Sequence, residues 1–327
     1  MKTVLVTGAA GFIGHVTALM LLRRGYAVIG LDNMNDYYDV RLKEYRLAEL
    51  ERFDGFRFHR LDIENRGDLD TIGELESIDG VINLAARAGV RYSMVDPFVY
   101  FQTNCIGTLN LLDLAVRHSM KKFVLASTSS LYAGQPMPFS EDLPVNEPIS
   151  PYAASKKGAE AIAYTYSHLY GIDVTVLRYF TVYGPAGRPD MSPYRFIKWI
   201  DEGTPIRLYG DGTQERDFTF VDDIAEGTVR AFEARTAFET INLGGSEPHT
   251  LNHVIGLMEK YLGKHCRKTM LPVHITDMKA TWADIGRARR ILNWAPAVPL
   301  DEGIARTVAW HRKNEALVQS IPIDLSR

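Results

Sequence analysis

The chain has 327 residues, of which 46% are hydrophobic and 24% are charged, a balance typical of a globular enzyme and not of a disordered or fibrous protein. Its formal net charge of -3 and its two distant cysteines, Cys105 and Cys266, indicate no surface for nucleic acid, no disulfide framework and no metal site. Because no apolar segment reaches the roughly 18 residues of a membrane span, we expect a cytoplasmic protein without membrane contact.

Short apolar or β-branched segments alternate with helical patterns through the first half of the chain. A long helix is predicted to begin near Pro151, and the predicted strands around it are 3–6, 27–31, 56–60, 80–84, 121–126 and 173–177. This alternation is typical of a parallel sheet with helices on both faces. Since the first strand starts at residue 3, we expect no targeting segment before the fold.

Beyond Tyr179 the pattern becomes irregular and richer in glycine and proline, which indicates a change of domain. The predicted fold class is α/β, a doubly wound parallel sheet with a smaller α/β C-terminal substrate lobe. Residues 1–180 are assigned to the cofactor domain, and 221–246 are predicted to return to it as a helix and a strand. Residues 181–220 and 247–327 are assigned to the lobe.

Three glycines stand between the first strand and the first helix, in the sequence VTGAAGFIG. The missing side chains permit a tight turn and the close approach of a pyrophosphate, and the helix N-terminus supplies oriented N–H groups. Such a triplet can also mark a plain turn, but its place at the first strand-to-helix turn favours a Rossmann dinucleotide site. The residues predicted to hold the cofactor here are Gly8, Gly11, Phe12, Ile13 and Gly14.

Asp32 ends the second predicted strand. At this position a carboxylate can accept hydrogen bonds from the adenine ribose and would repel a 2′-phosphate. The sequence therefore predicts NAD, and not NADP, as the cofactor. The alternative is that Asp32 only caps the turn that follows the strand.

Tyr152 and Lys156 form a Y-x-x-x-K pattern that places both side chains on one helix face, where the lysine charge favours the phenolate. The pattern alone is weak, because Tyr194 and Lys198 match it too. Tyr152 begins the helix after the fifth strand, whereas Tyr194 follows the completed sheet. We therefore predict that Tyr152 is the base, assisted by Lys156 and the positive nicotinamide, and that Tyr194 only packs.

Thr128, at the end of the fifth strand, is predicted to hold a substrate hydroxyl, with Ser129 and Ser130 beside it. The alternative is that these hydroxyls only satisfy backbone groups at the strand end. A nucleotide-sensing protein without catalysis could share the fold. It would not need Thr128, Tyr152 and Lys156 together, and their joint presence favours an enzyme.

The sequence resembles the extended short-chain dehydrogenases/reductases that modify nucleotide sugars, and among them the bacterial UDP-glucuronate 4-epimerases. The resemblance covers nearly the whole chain and rests on VTGAAGFIG, LDNMNDYYDVRLKEYRL, NLAARAGVRYSMVDP, STSSLYA, PYAASKK, RYFTVYGPAGRPDMSPYRF, RDFTFVDDI and ATWADI. Several of these segments are common to all nucleotide-sugar enzymes. The segments 35–47 (NDYYDVRLKEYRL) and 183–191 (YGPAGRPDM) are more specific to the glucuronate branch.

The resemblance implies further contacts with NAD. They run from the adenosine to the nicotinamide and involve Asn33 at the ribose, Asp62 and Ile63 at the adenine, Ala85 and Ala86 along the cofactor backbone, and Tyr179 beside the nicotinamide.

On the substrate side the resemblance implies contacts with a UDP-sugar: Tyr209 on the uracil, Arg216 on the diphosphate, Asp277 on the ribose and Thr181 at the sugar. Many hexose epimerases have asparagine where Thr181 stands. His274 occupies the place of a diphosphate-binding arginine in galactose epimerases, so recognition would depend more on Arg216. Two alternatives remain: Tyr209 could belong to the core, and Arg216 could pair with Asp222 and Asp223.

Enzymes of this kind share a first step, in which the tyrosine removes the C4 hydroxyl proton, hydride passes to NAD and a 4-keto sugar stays bound. Dehydratases and UDP-glucuronate decarboxylases carry an acidic residue where Ser129 and Ser130 stand here, and hydroxyls are poor acids at neutral pH. The expected activity is interconversion of UDP-glucuronate and UDP-galacturonate. UDP-glucose or UDP-GlcNAc 4-epimerisation and UDP-glucuronate decarboxylation remain alternatives.

Oxidation of glucuronate at C4 makes a β-keto acid, so an epimerase must restrain the carboxylate, and a guanidinium suits that task. Arg188 is the first candidate and Arg91 the second, although Arg188 could instead pair with Asp190 at the surface. Apolar positions at helical spacing in 104–116 and 153–166, with the resemblance, predict a homodimer through a four-helix bundle. Burial of both stripes within one chain is the alternative.

Overall fold

The computed structural model describes residues 2–75, 77–273 and 278–323. Within these ranges the strands are β1 Thr3–Thr7, β2 Ala27–Leu31, β3 Phe56–His59, β4 Gly80–Asn83, β5 Lys122–Thr128, β6 Asp173–Tyr179, β7 Thr181–Tyr183, β8 Ile206–Tyr209, β9 Glu215–Phe220, β10 Phe238–Leu243, β11 Pro248–Thr250 and β12 Lys268–Leu271.

The α-helices between them are α1 Phe12–Arg23, α2 Arg41–Leu50, α3 Arg66–Leu75, α4 Val90–Ser93, α5 Phe98–Phe101, α6 Thr108–Arg117, α7 Pro151–Tyr170, α8 Ser192–Glu202, α9 Val221–Glu233, α10 Leu251–Leu262, α11 Gly286–Leu292, α12 Leu300–Lys313 and α13 Glu315–Ser320. A π-helical segment, Gln102–Gly107, joins α5 to α6, and a short 3-10 helix, Ser129–Tyr132, follows β5.

The main sheet has seven strands in the order β10-β6-β5-β4-β1-β2-β3, and all of its pairings are parallel. Alternate side chains of β1 enter two apolar cores on opposite faces. Val4 and Val6 pack with residues of α1 and α9, whereas Leu5 packs with residues of α6 and α7. The predicted doubly wound Rossmann sheet is confirmed, because both faces of its strands are covered by helices.

The strand order reverses between β1 and β4, which places a crevice at the carboxyl ends of these two strands. The fifth strand is longer than the sequence predicted. β5 continues to Thr128, because Ser127 and Thr128 pair in register with Arg178 and Tyr179 of β6. This pairing carries the Thr128 side chain to the same edge of the sheet as the crevice.

After β6 the chain builds two small sheets. Strands β7, β9 and β11 form one, and β8 and β12 form the other. An apolar core between them contains Trp199 of α8, Ile206 of β8, Met258 of α10 and Ile304 of α12. Strand β10 leaves this region and pairs in parallel with β6 at the edge of the main sheet.

Two negative observations complete the fold. Across the described ranges, no helix is both long and apolar enough to cross a bilayer. The same part of the chain contains no group of three or more His, Cys, Asp or Glu side chains placed to hold a metal ion.

Candidate active site

A cavity of about 410 Å³ opens at the carboxyl ends of the central strands. It brings together most residues that the sequence singled out, from segments far apart in the chain. Those that line it are Gly8, Gly11, Phe12, Ile13, Gly14, Asp32, Asn33, Asp62, Ile63, Ala85, Ala86, Thr128, Ser129, Ser130, Tyr152, Lys156, Tyr179, Thr181 and Arg188.

The glycine loop has the geometry that a pyrophosphate requires. Gly8 has φ of +68°, and a Cβ atom there would lie 2.8 Å from the backbone nitrogen of Ala85. A Cβ atom on Gly14 would overlap the carbonyl oxygen of Gly8. No side chain in the described structure caps α1, which starts after Gly11 with no acidic residue in its first turn. Its N–H groups therefore suit the pyrophosphate of a dinucleotide.

Asp32 lies at the end of β2 and is buried beside a lysine that the sequence interpretation did not single out. Asp32 Oδ1 accepts hydrogen bonds from Met34 N at 2.9 Å and from Lys43 Nζ at 3.2 Å. Lys43 comes from α2 and also lines the cavity. The bond to Met34 is the turn cap that the sequence left open, and it uses one oxygen of the carboxylate. Lys43 also offsets the negative charge of Asp32. Repulsion by Asp32 therefore contributes less to the discrimination against the 2′-phosphate of NADP than the sequence suggested.

The far end of the cavity is shaped by a short polar chain. Asn33 Nδ2 donates to Asp62 Oδ2 at 2.7 Å, and Asn33 Oδ1 accepts from Asn35 N at 3.0 Å. Next to it, Ala85 N donates to the Thr7 hydroxyl at 3.1 Å. These bonds fix the loops after β2 and β3, where the sequence interpretation placed the adenosine, and the loop after β4, where it placed the cofactor backbone.

Helix α7 presents both residues of the Y-x-x-x-K pattern to the cavity. The helix is capped by the Ser150 hydroxyl, which accepts from Ala153 N at 3.2 Å, and Pro151 occupies its first turn. Lys156 Nζ donates to the carbonyl oxygen of Ala126 at 2.9 Å. Burial lowers the pKa of Lys156 to about 8, so its side chain stays largely protonated at neutral pH.

In the protein by itself the pKa of Tyr152 is raised and not lowered, in contrast to the sequence expectation. Burial raises it, while a hydrogen bond with Thr128 and the positive charge of Arg188 act in the opposite direction without cancelling the effect. The sequence interpretation assigned part of the stabilisation of the Tyr152 phenolate to the positive nicotinamide. A raised pKa increases the importance of that contribution to a phenolate near neutral pH.

The hydroxyls after β5 serve the backbone as well as the cavity. Thr128 Oγ1 accepts from Ser130 N at 3.1 Å and lies 3.1 Å from Ser130 Oγ. Thr128 thus caps the 3-10 helix, as the structural alternative required, and still lines the cavity beside Tyr152. The described structure places no carboxylate among Ser129, Ser130 and Tyr152 in the cavity wall.

Beneath these residues lies a buried polar network, which the sequence interpretation missed. Glu160 accepts two hydrogen bonds from the Arg178 guanidinium, at 2.9 and 2.8 Å, and one from the Ser127 hydroxyl at 2.6 Å. Arg178 also donates to the Tyr132 hydroxyl, which in turn donates to Asn242. Burial acts to lower the pKa of Arg178, but the bonds and charge of Glu160 outweigh it and leave the pKa raised.

We expect Glu160→Ala to lower the free energy of unfolding by about 3 to 5 kcal/mol, because Arg178 would keep its charge in a buried place without a carboxylate partner. Urea unfolding of the variant and the wild type measures the difference. The control is Glu302→Ala, which removes an exposed ion pair with Arg306 and should cost less than about 1 kcal/mol. Equal losses in the two variants would contradict this role for Glu160.

Arg188 lines the cavity and also makes the ion pair that the sequence left as its alternative. Its Nε and one terminal nitrogen donate to the two carboxylate oxygens of Asp190, at 3.0 and 2.6 Å, and the same nitrogen donates to Ala88 O at 3.2 Å. The pair is not at the surface, since the side chains are only 20% and 10% exposed. Burial acts to lower the pKa of Arg188, but Asp190 keeps it raised.

Two substrate residues predicted by resemblance, Tyr209 and Arg216, do not line this cavity, and neither does Arg91, the second candidate for the carboxylate. Arg91 stacks on the ring of Tyr209, with 3.8 Å from the guanidinium carbon to the ring centre. Arg216 lies in β9, opposite His249 of β11, and donates to Glu215 O at 2.7 Å. Asp277 and His274 lie outside the described residues. The structure therefore brings together the residues predicted to bind the cofactor and the sugar, but not those predicted to bind the uracil and the diphosphate.

The competing pair, Tyr194 and Lys198, lies away from the cavity lining. Tyr194 is buried in a cluster with Leu42 and Ala186, and its hydroxyl has no hydrogen-bond partner within the described part of the chain. Lys198 donates to Val318 O at 2.7 Å. These surroundings agree with the packing role predicted for Tyr194.

Tyr179 and Thr181 enclose the cavity on the side of the small sheets. The Tyr179 hydroxyl lies 2.8 Å from the Thr228 hydroxyl, and burial raises the pKa of Tyr179. Thr181 begins β7 and is separated from the last residue of β6, Tyr179, by Phe180 alone. Sequence reasoning did not identify several further lining residues: Asn35, Tyr37, Tyr38, Lys43, Arg87, Thr103 and Phe180. Four of them fall in the branch-specific segment 35–47, whose composition was the available signal.

Residues 4–244 match a family model described as the NAD dependent epimerase/dehydratase family. The UDP-glucuronate 4-epimerase of Thermodesulfobacterium geofontis (strain OPF15) is 55% identical over 320 residues, which cover 98% of this chain and 99% of that protein. The crystal structure of UDP-glucuronic acid 4-epimerase from Bacillus cereus, in complex with UDP-glucuronic acid and NAD, aligns with a TM-score of 0.90 and 39% identity. The alignment covers 95% of this chain and 99% of that one.

A UDP-glucose 4-epimerase from Thermotoga maritima, crystallised with UDP-glucose, is also similar, with a TM-score of 0.87 and 31% identity over 96% of this chain and 100% of that one. The likeness to UDP-glucuronate epimerases is thus greater in sequence. The family match covers most of the chain, and the relatives align over nearly their whole length. The chain belongs to the NAD dependent epimerase/dehydratase family of extended short-chain dehydrogenases/reductases.

Proposed function

We propose that the protein is a UDP-glucuronate 4-epimerase that interconverts UDP-glucuronate and UDP-galacturonate with bound NAD. One observation carries the proposal: a single cavity is faced by the glycine loop, by Tyr152 with Lys156, and by the guanidinium of Arg188. A redox site of this kind beside a buried cation suits an anionic sugar. The names of the relatives from T. geofontis and B. cereus support the same substrate.

We propose that the two parts of the chain divide the ligands. Residues 1–180 and 221–246 would hold NAD, with Gly8 to Gly14 at the pyrophosphate, Asp32 and Asn33 at the ribose, and Asp62 and Ile63 at the adenine. Ala85, Ala86 and Tyr179 would follow the cofactor towards the nicotinamide. Residues 181–220 and 247–327 would hold the nucleotide sugar. When bound, NAD supplies the acceptor and the donor of hydride for C4 of the sugar.

The proposed chemistry of the chain itself begins at Tyr152. As a phenolate it would take the proton of the C4 hydroxyl, and as a phenol it would return it after the sugar has turned over. Thr128 would hold that hydroxyl, because its side chain lies beside Tyr152 in the cavity wall. Lys156, fixed on Ala126 O, would keep a positive charge near the site up to a pH of about 8.

Arg188 would restrain the substrate carboxylate so that the 4-keto sugar does not lose carbon dioxide. Two of its nitrogens are engaged by Asp190, so the guanidinium plane is fixed before substrate binds. Ser129 and Ser130 are hydroxyls, which are poor acids and bases at neutral pH, so proton transfer at C5 is disfavoured. Both features favour epimerisation over decarboxylation or dehydration.

For the nucleotide we propose that Tyr209 supports the uracil and that Arg216 and Asp277 contact the diphosphate and ribose. The stacking of Arg91 on Tyr209 gives Arg91 a role in holding that aromatic ring, in addition to its place as the second candidate for the carboxylate. Tyr209 belongs to the part of the chain assigned to the nucleotide sugar, and Arg91 contacts that part through Tyr209.

The test of the proposed function is product analysis. The protein is incubated separately with UDP-glucuronate, UDP-glucose and UDP-GlcNAc, and the products are resolved by chromatography with mass detection. We expect UDP-galacturonate from UDP-glucuronate, without net change in mass. A product lighter by carbon dioxide would identify a decarboxylase, and turnover of only the neutral sugars would identify a hexose epimerase.

We expect NAD to remain bound through purification, because a redox-neutral cycle gains nothing from releasing the reduced cofactor. Denaturing the pure protein and assaying the supernatant for NAD measures the bound amount. Protein without NAD that depends strongly on added NADP would contradict the role given to Asp32. The variant Lys43→Met tests the pairing seen in the structure, and we expect it to lower the retained NAD.

We also propose a homodimer in the cytoplasm. Much of the predicted stripe on α6, including Leu111 and Leu114, is buried within the chain itself, as the alternative to dimerisation required. Large apolar side chains nevertheless remain exposed on the neighbouring helical segments. Phe98 of α5 is 83% exposed, and Phe101 of α5, Ile106 of the π-helical segment and Tyr164 of α7 are exposed as well. These side chains are the support for the dimer.

Sedimentation velocity at micromolar concentration should therefore give the mass of a dimer. Phe98→Glu with Phe101→Glu should shift the sample towards monomer, because each change places a charge in the proposed apolar interface. Met270→Glu, on an exposed apolar side chain of β12, is a comparison for the general effect of added charge. A wild-type protein that sediments as a monomer would remove the proposal.

A further inference from the structure

Arg46 of α2 is fully buried, with 0% exposure, and does not line the cavity. Its five N–H groups make five hydrogen bonds. Nε and one terminal nitrogen donate to Ala186 O at 3.1 and 2.7 Å, and the second of these also donates to Gly187 O at 3.2 Å. The other terminal nitrogen donates to Ala10 O at 3.0 Å and to the Tyr38 hydroxyl at 2.7 Å.

Four of these five bonds go to the two loops that form the proposed site. Ala10 lies inside the glycine loop, between Gly8 and Gly11. Ala186 and Gly187 directly precede Arg188, the residue proposed to bind the substrate carboxylate. A single side chain therefore joins the cofactor loop to the backbone that carries the carboxylate-binding arginine.

The loop before Arg188 needs such support. Ala186 has φ of +52°, a left-handed conformation that is unfavourable for a residue with a Cβ atom. Two of the five bonds from Arg46 hold the carbonyl group of this residue. Arg46 thus stabilises a strained turn at a fixed distance from the glycine loop.

The chemistry of the acceptors points to a positioning role and not to an ion pair. All four acceptor atoms are neutral: four of the five bonds go to backbone carbonyls and one goes to a phenol. Burial of a cation without a carboxylate partner is costly, so a side chain chosen only for packing would be apolar. The planar fork of a guanidinium can join carbonyls on two loops at once, which a lysine ammonium cannot reproduce with the same geometry.

We propose that Arg46 is a positioning residue that sets substrate specificity by holding Arg188 at the correct place relative to the cofactor loop. The proposal rests on the function proposed above. It also explains why the two segments specific to the glucuronate branch, 35–47 and 183–191, occur together: the first supplies Arg46 and Tyr38, and the second supplies the turn and Arg188. The side chain acts through Arg188 and makes no contact with the substrate.

The test compares ligands that differ in the carboxylate. Affinities for UDP-glucuronate and UDP-glucose are measured by calorimetry on NAD-loaded protein in the Tyr152→Phe background, so that turnover does not disturb the titration. Arg46→Met removes the charge and all five donors, and Arg46→Lys keeps the charge but not the fork. The control is Lys198→Met, which removes another buried cation, bonded to Val318 O and paired with Glu202, that donates no hydrogen bond to either loop in the described structure.

We expect Arg46→Met to lower the preference for UDP-glucuronate over UDP-glucose by roughly tenfold or more, because small displacements of a recognition group have large effects. Arg46→Lys should lower this preference too, but by a smaller factor. Lys198→Met should leave the preference unchanged. With Tyr152 restored, Arg46→Met should also release some decarboxylated product.

An Arg46→Met protein that keeps the wild-type preference, or that loses both ligands equally, would overturn the proposal. If Arg46→Met does not fold, Arg46→Lys decides in the same way, and a wild-type preference in that variant overturns it too. Failure of the proposed function is distinguishable, because the protein with native Arg46 would then show no preference for UDP-glucuronate and would form no UDP-galacturonate.

Discussion

Tyr152→Phe should reduce the turnover of UDP-glucuronate by about a hundredfold or more and leave NAD bound. The change removes one oxygen, the atom proposed to carry the C4 proton, and lost general bases typically cost this much. The ring itself is held by an edge-to-face contact with Tyr100, at 6.0 Å between centroids, which phenylalanine can keep. Steady-state kinetics and the NAD content of the purified variant are the measurements.

Tyr194→Phe is the matched control, because Tyr194 begins the second Y-x-x-x-K pattern and loses the same atom. Its hydroxyl has no hydrogen-bond partner in the described structure, so the control should turn over normally. Equal losses in both variants would mean that Tyr152 is not the base. Loss of NAD in Tyr152→Phe would instead assign the residue to cofactor binding.

Arg188→Ala should weaken transition-state recognition of UDP-glucuronate by roughly 2 to 5 kcal/mol, the range for a charged partner removed from a largely buried site. UDP-glucose has no carboxylate and should be affected far less. The variant should also release carbon dioxide from part of the 4-keto intermediate, yielding a 4-keto pentose nucleotide. Kinetics with both sugars and mass detection of the products check these outcomes.

The ion pair with Asp190 complicates this variant in a way that the sequence did not reveal. Removal of Arg188 leaves a nearly buried carboxylate close to the proposed place of the substrate carboxylate, so part of the loss would come from repulsion. The double variant Arg188→Ala with Asp190→Asn removes that repulsion and should recover part of the affinity. Arg91→Ala is the second comparison. Unchanged turnover of UDP-glucuronate in Arg188→Ala would move the carboxylate contact to Arg91.

Strand positions and the glycine loop could be predicted because their signals are local. Alternation of apolar segments with helical patterns placed the first six strands within two residues of their observed bounds. β5 is longer because its last residues pair with β6, and no feature of residues 127 and 128 alone indicates that pairing. The glycines were recognisable since their spacing reports a turn that only glycine can form.

The partners of charged residues could not be predicted from spacing. The sequence left Asp32 as a ribose contact or a turn cap, and the structure gives it a turn-capping bond together with a bond from Lys43, eleven positions later in α2. For Arg188 it left open whether the side chain binds the substrate carboxylate or pairs with Asp190. In the structure Arg188 lines the cavity and pairs with Asp190 there. In each case the sequence offered two alternatives as if they excluded each other, whereas the geometry permits both, and it gave no indication of Lys43.

The sequence by itself determined the fold class, the NAD loop and the candidate catalytic residues Thr128, Tyr152 and Lys156, because these depend on periodicity, glycine spacing and the order of strands. The tertiary structure decided that Arg46 joins residues 10, 186 and 187, and that Glu160 bonds Arg178 beneath the site. Contacts of this kind form between segments that the sheet order brings together after folding. A charge in a helical pattern reads as solvent-exposed until the packing of the whole chain shows that it is buried.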